Sequence, residues 1–465
     1  MTLAVFVSVL NNTMVNVAIP PMSQDLGISG AQAGWIVTGY SLVFATAIPI
    51  YGRVSDFFSL RRTFSLALVV FAAGSLICAL SPTLAALITG RALQAAGAAA
   101  IPALAFGSIA RIYPAGRRGA AFGLLSSSVG FGAAAGPILG GLGVSVGGWR
   151  MLFYATLVLI VILLAGGQYQ LPDTNSLAPQ GGAVRSLDLP GGLLLAATAG
   201  LLLLGITDIQ QAGLASSLSW GPILLSVFTG IAFSVRIRRA REPFASPELF
   251  GNRTFVAASM AALLAQLAYI GGGLFLSPLL LEGQRGLSAL STGLVLAPAA
   301  ITVAALSPFA GRLSDRLGPR AVLLAGLAVL LVGVVFVSSY AVGASTYAVA
   351  LGLVCMGVGY AGITSPAANA ASSTLSERTA GVSLGIYQMF FFLGAGTGTA
   401  ILGAILAARR AAGGTAVNPL YSGTPSAVPF SDTFLVAALA VVLALMAAFS
   451  ISTKTADNSA EPESG

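Results

Sequence analysis

Apolar runs of 18 to 25 residues recur from one end of this sequence to the other, and they restrict the possible folds more than any other feature. At 1.5 Å rise per residue, each run can cross the roughly 30 Å hydrocarbon layer as a helix. Only 8% of the residues are charged and 56% are hydrophobic, where a soluble domain carries about 25% charged residues. Lipid is therefore the expected solvent. The runs are continuously apolar, whereas barrel strands alternate over about ten residues, so the expected fold class is an all-α polytopic membrane protein. The 57 glycines point to close helix approach. The run starting at Thr2 lacks a basic leader and continues into a polar segment, so it reads as a first span and not as a cleaved signal.

Composition excludes several chemistries. There is no histidine, and Cys78 and Cys355 sit far apart in apolar runs, so no metal site is expected. The sole lysine, Lys454, follows Thr453, which rules out a phosphate loop with its Gly-Lys pair. The expectation is no cofactor and no nucleotide.

Breaks in hydropathy divide the chain into eight spans between residues 2 and 235 and six between 255 and 452, fourteen in all. Arginines gather in alternate loops: Arg53, Arg61 and Arg62; Arg111, Arg117 and Arg118; Arg236 to Arg253; Arg312, Arg316 and Arg320. The positive-inside rule makes those loops and both termini cytoplasmic. The net charge of +8 then reflects orientation, and no nucleic-acid partner is expected. Gly52-Arg53-Val54-Ser55-Asp56 returns as Gly311-Arg312-Leu313-Ser314-Asp315, an internal repeat offset by 259 residues. Six spans with short loops need fewer residues than that, so two extra helices are expected between two six-helix halves. The division is 1–171 for the first bundle, 172–253 for a cytoplasmic linker and inserted spans seven and eight, and 254–453 for the second bundle. Residues 454–465 form a tail expected to be disordered.

Four segments carry a family resemblance. The loop GRVSDFFSLRR (52–62) and its partial repeat GRLSDRLGPR (311–320) place Asp56 and Asp315 among Arg53, Arg61, Arg62, Arg312 and Arg316. Gly132, Gly136, Pro137, Gly140 and Gly141 in span five match G-x-x-x-G-P-x-x-G-G. Arg91 with Gln94 in span four matches R-x-x-Q-G-x-G, with Ala95 for the first glycine. Span one, LNNTMVNVAIP, matches L-D-x-T-x-x-N-V-A-L-P with Asn11 replacing the acid. Together these resemble the fourteen-span drug:proton antiporter branch of the major facilitator superfamily, and GAAAIPAL (97–104) further resembles the tetracycline-exporting subgroup of Gram-positive bacteria.

The resemblance implies the major facilitator fold and alternating access. Physically, a carboxylate at Asp56 or Asp315 can face a helix N-terminus and nearby guanidinium groups, a conformational latch whose plain alternative is a topology-setting charged loop. The glycines at i, i+4 and i+8 form a smooth stripe expected between the two halves, with Pro137 bending the helix. Ser8, Asn12 and Asn16 share one face of span one, expected to line a hydrated cavity with Arg91. Gln266, Tyr269, Asn369, Tyr387, Gln388 and Phe391 are further candidate cavity residues, of which Tyr387 and Phe391 share a face.

No acid falls at mid-membrane depth, and the subgroup's acids are replaced by Asn12 and Ala395. Proton antiport ordinarily uses a buried carboxylate. Three mechanisms are open: coupling through Asp25, Glu282 or Asp56 at the cavity rims; an anionic substrate held by Arg91; or uniport. The leading expectation is a secondary exporter of small molecules, with the lipid bilayer, a small-molecule substrate and protons as partners. A non-transporting scaffold would not need the polar stripe, and an intramembrane enzyme would need a histidine, paired acid or metal constellation that is missing.

Overall fold

The computed structural model describes residues 1–171, 187–212, 217–376 and 379–452. Most of the expected linker, with Asp173, and the acidic tail with Glu377's loop lie outside the described residues. The fourteen long helices are α1 (Thr2–Leu26), α2 (Gly30–Phe57), α3 (Leu60–Leu80), α4 (Leu84–Ile112), α5 (Arg118–Gly147), α6 (Arg150–Gln170) and α7 (Leu189–Ala212). They continue with α8 (Ser217–Arg239), α9 (Arg253–Gly283), α10 (Ala289–Leu317), α11 (Pro319–Ala341), α12 (Thr346–Ser372), α13 (Ala380–Ala412) and α14 (Val428–Phe449). Among the described residues, fourteen helices are long and apolar enough to span a membrane, the number that the hydropathy breaks predict.

Helix starts follow local chemistry. Ser29, Ser59, Thr83, Asn252, Ser288 and Ser345 each accept a hydrogen bond from the backbone N–H three residues on, satisfying a donor that the first turn leaves unpaired. α1 ends on Gly27 in the left-handed region (φ 61°). α4 is interrupted at Ala99, because Pro102 has no N–H to offer the carbonyl four residues earlier. α13 runs to Ala412, and α14 begins at Val428, where Pro429 suits a first turn.

The helices form two six-helix bundles, α1–α6 and α9–α14, with α7 and α8 as an inserted antiparallel hairpin. The hairpin is held by close packing of Gly205 on Ile223 and by Thr198 Oγ1 donating to Thr229 Oγ1 (3.1 Å). α7 covers the seam where α2 meets α13: Gly200 rests on Leu42 and Thr46, and Leu203 on Gly396. Asp188 starts α7, accepting from Phe244 N (2.8 Å) and pairing with Arg236 (2.6 Å).

Candidate functional site

α1 and α4 assemble the first polar cluster. Arg91 and Gln94 lie one turn apart on α4, and Arg91 Nη1 donates to Gln94 Oε1 (3.0 Å) and Asn11 Oδ1 (3.3 Å). Nη2 donates to Asn12 Oδ1 (3.2 Å) and Nε to Ile36 O (3.4 Å), while the guanidinium carbon sits 4.0 Å over the Tyr40 ring. A second layer orients the amides: Gln94 Nε2 donates to Ser75 Oγ (2.7 Å) and Asn11 Nδ2 to Thr156 Oγ1 (2.9 Å). Among the described residues, every hydrogen-bond or ring partner of the cation is a neutral oxygen or an aromatic ring.

One expectation is corrected here. Arg91 does not face a hydrated vestibule; it is 0% exposed, closed over by Tyr40 and the amides. Asn11 and Ser8 are buried too, Asn12 is half-buried, and only Asn16 on this face is exposed. The i+4 spacing places the side chains on one face, but neighbouring helices cover its inner end, so exposure rises along the stripe from buried Ser8 through half-buried Asn12 to Asn16.

α9, α12 and α13 supply the second cluster. The Tyr360 hydroxyl donates to Gln266 Oε1, and the rings of Tyr360 and Tyr269 stack at 4.0 Å and 9°. Tyr269 lies where α9 widens to i→i+5 hydrogen bonding over Leu267–Leu276, a distortion frequent at functional sites. Gln388 is buried and Phe391 half-buried. Tyr387 is 1% exposed, and its hydroxyl finds no partner among the described residues. Asn369 does not join this cluster: near the end of α12, it donates to Ser314 Oγ (3.0 Å) and Asp315 Oδ1 (3.3 Å).

At the arginine-rich end the two bundles clasp each other twice. Asp56 accepts from Gly381 N (3.0 Å) and Val382 N (3.1 Å) in the first turn of α13. Asp315 accepts from Gly119 N and Ala120 N (both 2.8 Å) in the first turn of α5. Each carboxylate thus sits on unpaired N–H groups at the positive end of a helix in the other half. Close approach requires glycine: a Cβ at Gly52 would lie 2.4 Å from Gly381 O, and one at Gly119 would lie 2.4 Å from Gly311 O. The repeat is not symmetric, since Asp56 also pairs with Arg111 where Asp315 has Asn369.

Of the arginines expected beside these acids, Arg53 stays within electrostatic reach of Asp56, and Arg53 and Arg61 also reach backbone carbonyls. Arg53 Nη2 donates to Pro243 O (3.2 Å) and Arg61 Nε to Leu171 O (2.8 Å), tying loops to helix ends. Arg62, Arg312 and Arg316 are exposed. The cation in direct ion-pair contact with Asp56 comes from α4, and Arg111 was legible only as a member of a positive loop. Among the rim acids, Asp25 accepts from Trp149 Nε1 (3.1 Å) and Arg150 Nη1 (2.6 Å), and Glu282 is exposed.

The glycine stripe also lands elsewhere than expected. Gly132, Gly136 and Gly140 pack on α1 of their own bundle, against Phe6 and Val9, Thr13, and Met14 respectively. Thr13 Oγ1 donates across this contact to Gly132 O (3.2 Å). α5 meets the other bundle through Gly119, Gly123 and Gly130, which contact Gly311, Ser307 and Ala304 of α10. At 100° per residue the two glycine sets are centred about 120° apart around the helix, so a single stripe could not serve both contacts. Pro137 is exposed, and Gly141 has open space beside it.

Comparison with known proteins fits this architecture. The description Major Facilitator Superfamily matches residues 1–399 and 258–463. The chain belongs to that superfamily. It is 29% identical over 400 residues to the tetracenomycin C resistance and export protein of Streptomyces glaucescens, covering 86% of this chain and 73% of that one. It is 30% identical over 409 residues to the multidrug resistance protein Stp of Mycobacterium tuberculosis, covering 87% and 74%. The chain spans 59% of the length of another relative, the uncharacterized MFS-type transporter YhcA of Bacillus subtilis, at 30% identity over 324 residues, 69% of this chain. The crystal structure of the human organic anion transporter MFSD10 aligns with a TM-score of 0.67 over 95% of this chain and 97% of that one, at 15% identity, which shows the shared fold. As a superfamily member with fourteen candidate spans, the chain is a multi-pass membrane protein.

Proposed function

We propose that this protein exports small neutral or acidic molecules, drugs or antibiotics among them, by alternating access coupled to proton antiport. The observation that carries the reading is the double clasp. Among the described residues, the hydrogen bonds that cross between bundles lie at the arginine-rich end or reach no deeper than Ser127 Oγ donating to Ala304 O (2.6 Å). Two rigid halves held at one end by four charge-assisted bonds form a two-state element of the kind a rocking carrier needs. With the arginine-rich loops and both termini in the cytoplasm of a bacterial cell, this is an outward-facing state. The named export and resistance activities of the relatives support a drug or antibiotic cargo.

Substrate charge follows from the site. A permanent cation bound in the membrane interior needs a counter-charge, and the charge buried behind the α1 stripe, Arg91, is positive; sealed from contact with a substrate, it still disfavours a cation nearby. Asp56 is the acid best placed for coupling, because neutralising it removes the charge that holds α13 and Arg111 together. Reconstitution into proteoliposomes tests the proposal, using anionic, neutral and permanently cationic compounds with and without a pH gradient. Gradient-driven movement of neutral or anionic compounds is expected. Strong transport of the cation overturns the substrate assignment, and movement indifferent to the gradient overturns the coupling.

A further inference from the structure

The outer face of the second bundle carries a groove of about 580 Å³ between α10 and α11, floored by α12. Phe309 of α10, Val322 and Val329 of α11 and Val358 of α12 line it, and Arg312 and Arg316 stand in its wall at the arginine-rich end. This face is distinct from the one α10 turns toward the other bundle. Ala304, Ser307 and Gly311 pack on α5, while Phe309 is 62% exposed and Leu313 45% exposed. In a membrane-spanning helix such an apolar surface meets lipid tails.

The two arginines are what a lipid tail alone does not explain. They lie one helical turn apart, so both guanidinium groups can address one ligand. Among the described residues neither has a hydrogen-bond or ion-pair partner, although Asp315 stands next to Arg316 in the chain. Its carboxylate is turned away, committed to Gly119 N, Ala120 N and Asn369. Two exposed, unneutralised cations at the mouth of an apolar slot, at the depth where helices leave the bilayer, match an acyl chain attached to a phosphate. We propose that this groove binds an anionic diacyl phospholipid, its phosphate held by Arg312 and Arg316 and one acyl chain laid along Phe309, Val329 and Val358. The site lies beside the Asp315 clasp but requires only that the protein be embedded in a membrane, so it does not depend on the export reading.

Native mass spectrometry of the full-length protein, delipidated and reloaded with phosphatidylglycerol or phosphatidylethanolamine of identical chains, tests the assignment. Selective retention of phosphatidylglycerol is expected. The Arg312→Gln/Arg316→Gln variant should bind it about thirtyfold more weakly, the effect of removing two surface-attracting charges. Ala325→Phe, which fills the groove but keeps both arginines, should also weaken it, and glycerol phosphate alone should fail to compete. Arg238→Gln/Arg239→Gln, removing equal charge from α8, should leave retention unchanged. Retention unaffected by loss of Arg312 and Arg316, or lowered equally by the α8 variant, overturns the site. Full competition by glycerol phosphate, with no effect of Ala325→Phe, overturns the acyl groove. Each variant is first required to elute as the wild type does, so that loss of lipid is not read from a misfolded protein.

Discussion

Arg91 keeps a charge at full burial because four oxygen acceptors surround it, three of them side-chain amides, of which Asn11 and Gln94 are oriented by donating their N–H₂ groups to Thr156 and Ser75. The fork geometry of a guanidinium spans Asn11, Asn12 and Gln94 at once, and an ammonium cannot. Arg91→Lys should therefore lose at least one bond to a charged donor, destabilising the protein by about 2 kcal/mol and lowering transport at least severalfold. Thermal unfolding in detergent and proteoliposome flux would read these; wild-type values in both would remove Arg91 from the site. Tyr387 poses the opposite case, a buried hydroxyl without a described partner. If the substrate supplies that partner, Tyr387→Phe changes which compounds are moved while leaving the fold intact. An unchanged profile in cell-accumulation assays, together with an unchanged Tyr387→Ala profile, would assign Tyr387 to packing. Residue types at this scale were readable: Asn11, Asn12, Arg91 and Gln94 do meet. Their closure by Tyr40 was not readable, since it depends on how α2 leans across α4.

Single helices carry a different lesson. The spacing of Gly132, Gly136 and Gly140 shows that α5 presents a smooth face, yet nothing in α5 says which helix uses it. It is α1, and a Cβ at Gly136 would fall 1.8 Å from Thr13 Oγ1. Gly136→Val should cost about 1–3 kcal/mol through overpacking, whereas Gly141→Ala, with open space beside it, should leave thermal stability within about 0.5 kcal/mol of wild type. Equal stability of the two variants would mean the α1–α5 contact is looser than described. The widened turn in α9 is likewise silent in the sequence, because LAYIGGGLFL is compatible with an ordinary helix. The shift in hydrogen bonding goes with close backbone contact between Gly271 and Gly398 of α13.

Across the whole molecule, the two clasps are the natural place to bias the equilibrium between states. Asp56→Asn with Asp315→Asn keeps the shape of each side chain but removes the charge facing two helix N-termini. Pulsed electron-paramagnetic distances between spin labels at the arginine-rich ends should broaden toward longer values in the double variant, and those at the opposite ends should shorten. Unchanged distributions would show that the clasps do not set the conformation. The sequence by itself determined that there are fourteen spans, that the second half repeats the first, and that two acids mark equivalent ends, because bilayer thickness acts on contiguous residues and leaves its mark in hydropathy. Only the tertiary structure decided that Asp56 pairs with Arg111 on α4, that Asp315 has Asn369 instead, that Arg91 is sealed, and that Arg312 and Arg316 border an outer groove. Each of these depends on which helices stand side by side. That arrangement comes from packing between residues tens to hundreds of positions apart, on which local hydrophobicity is silent.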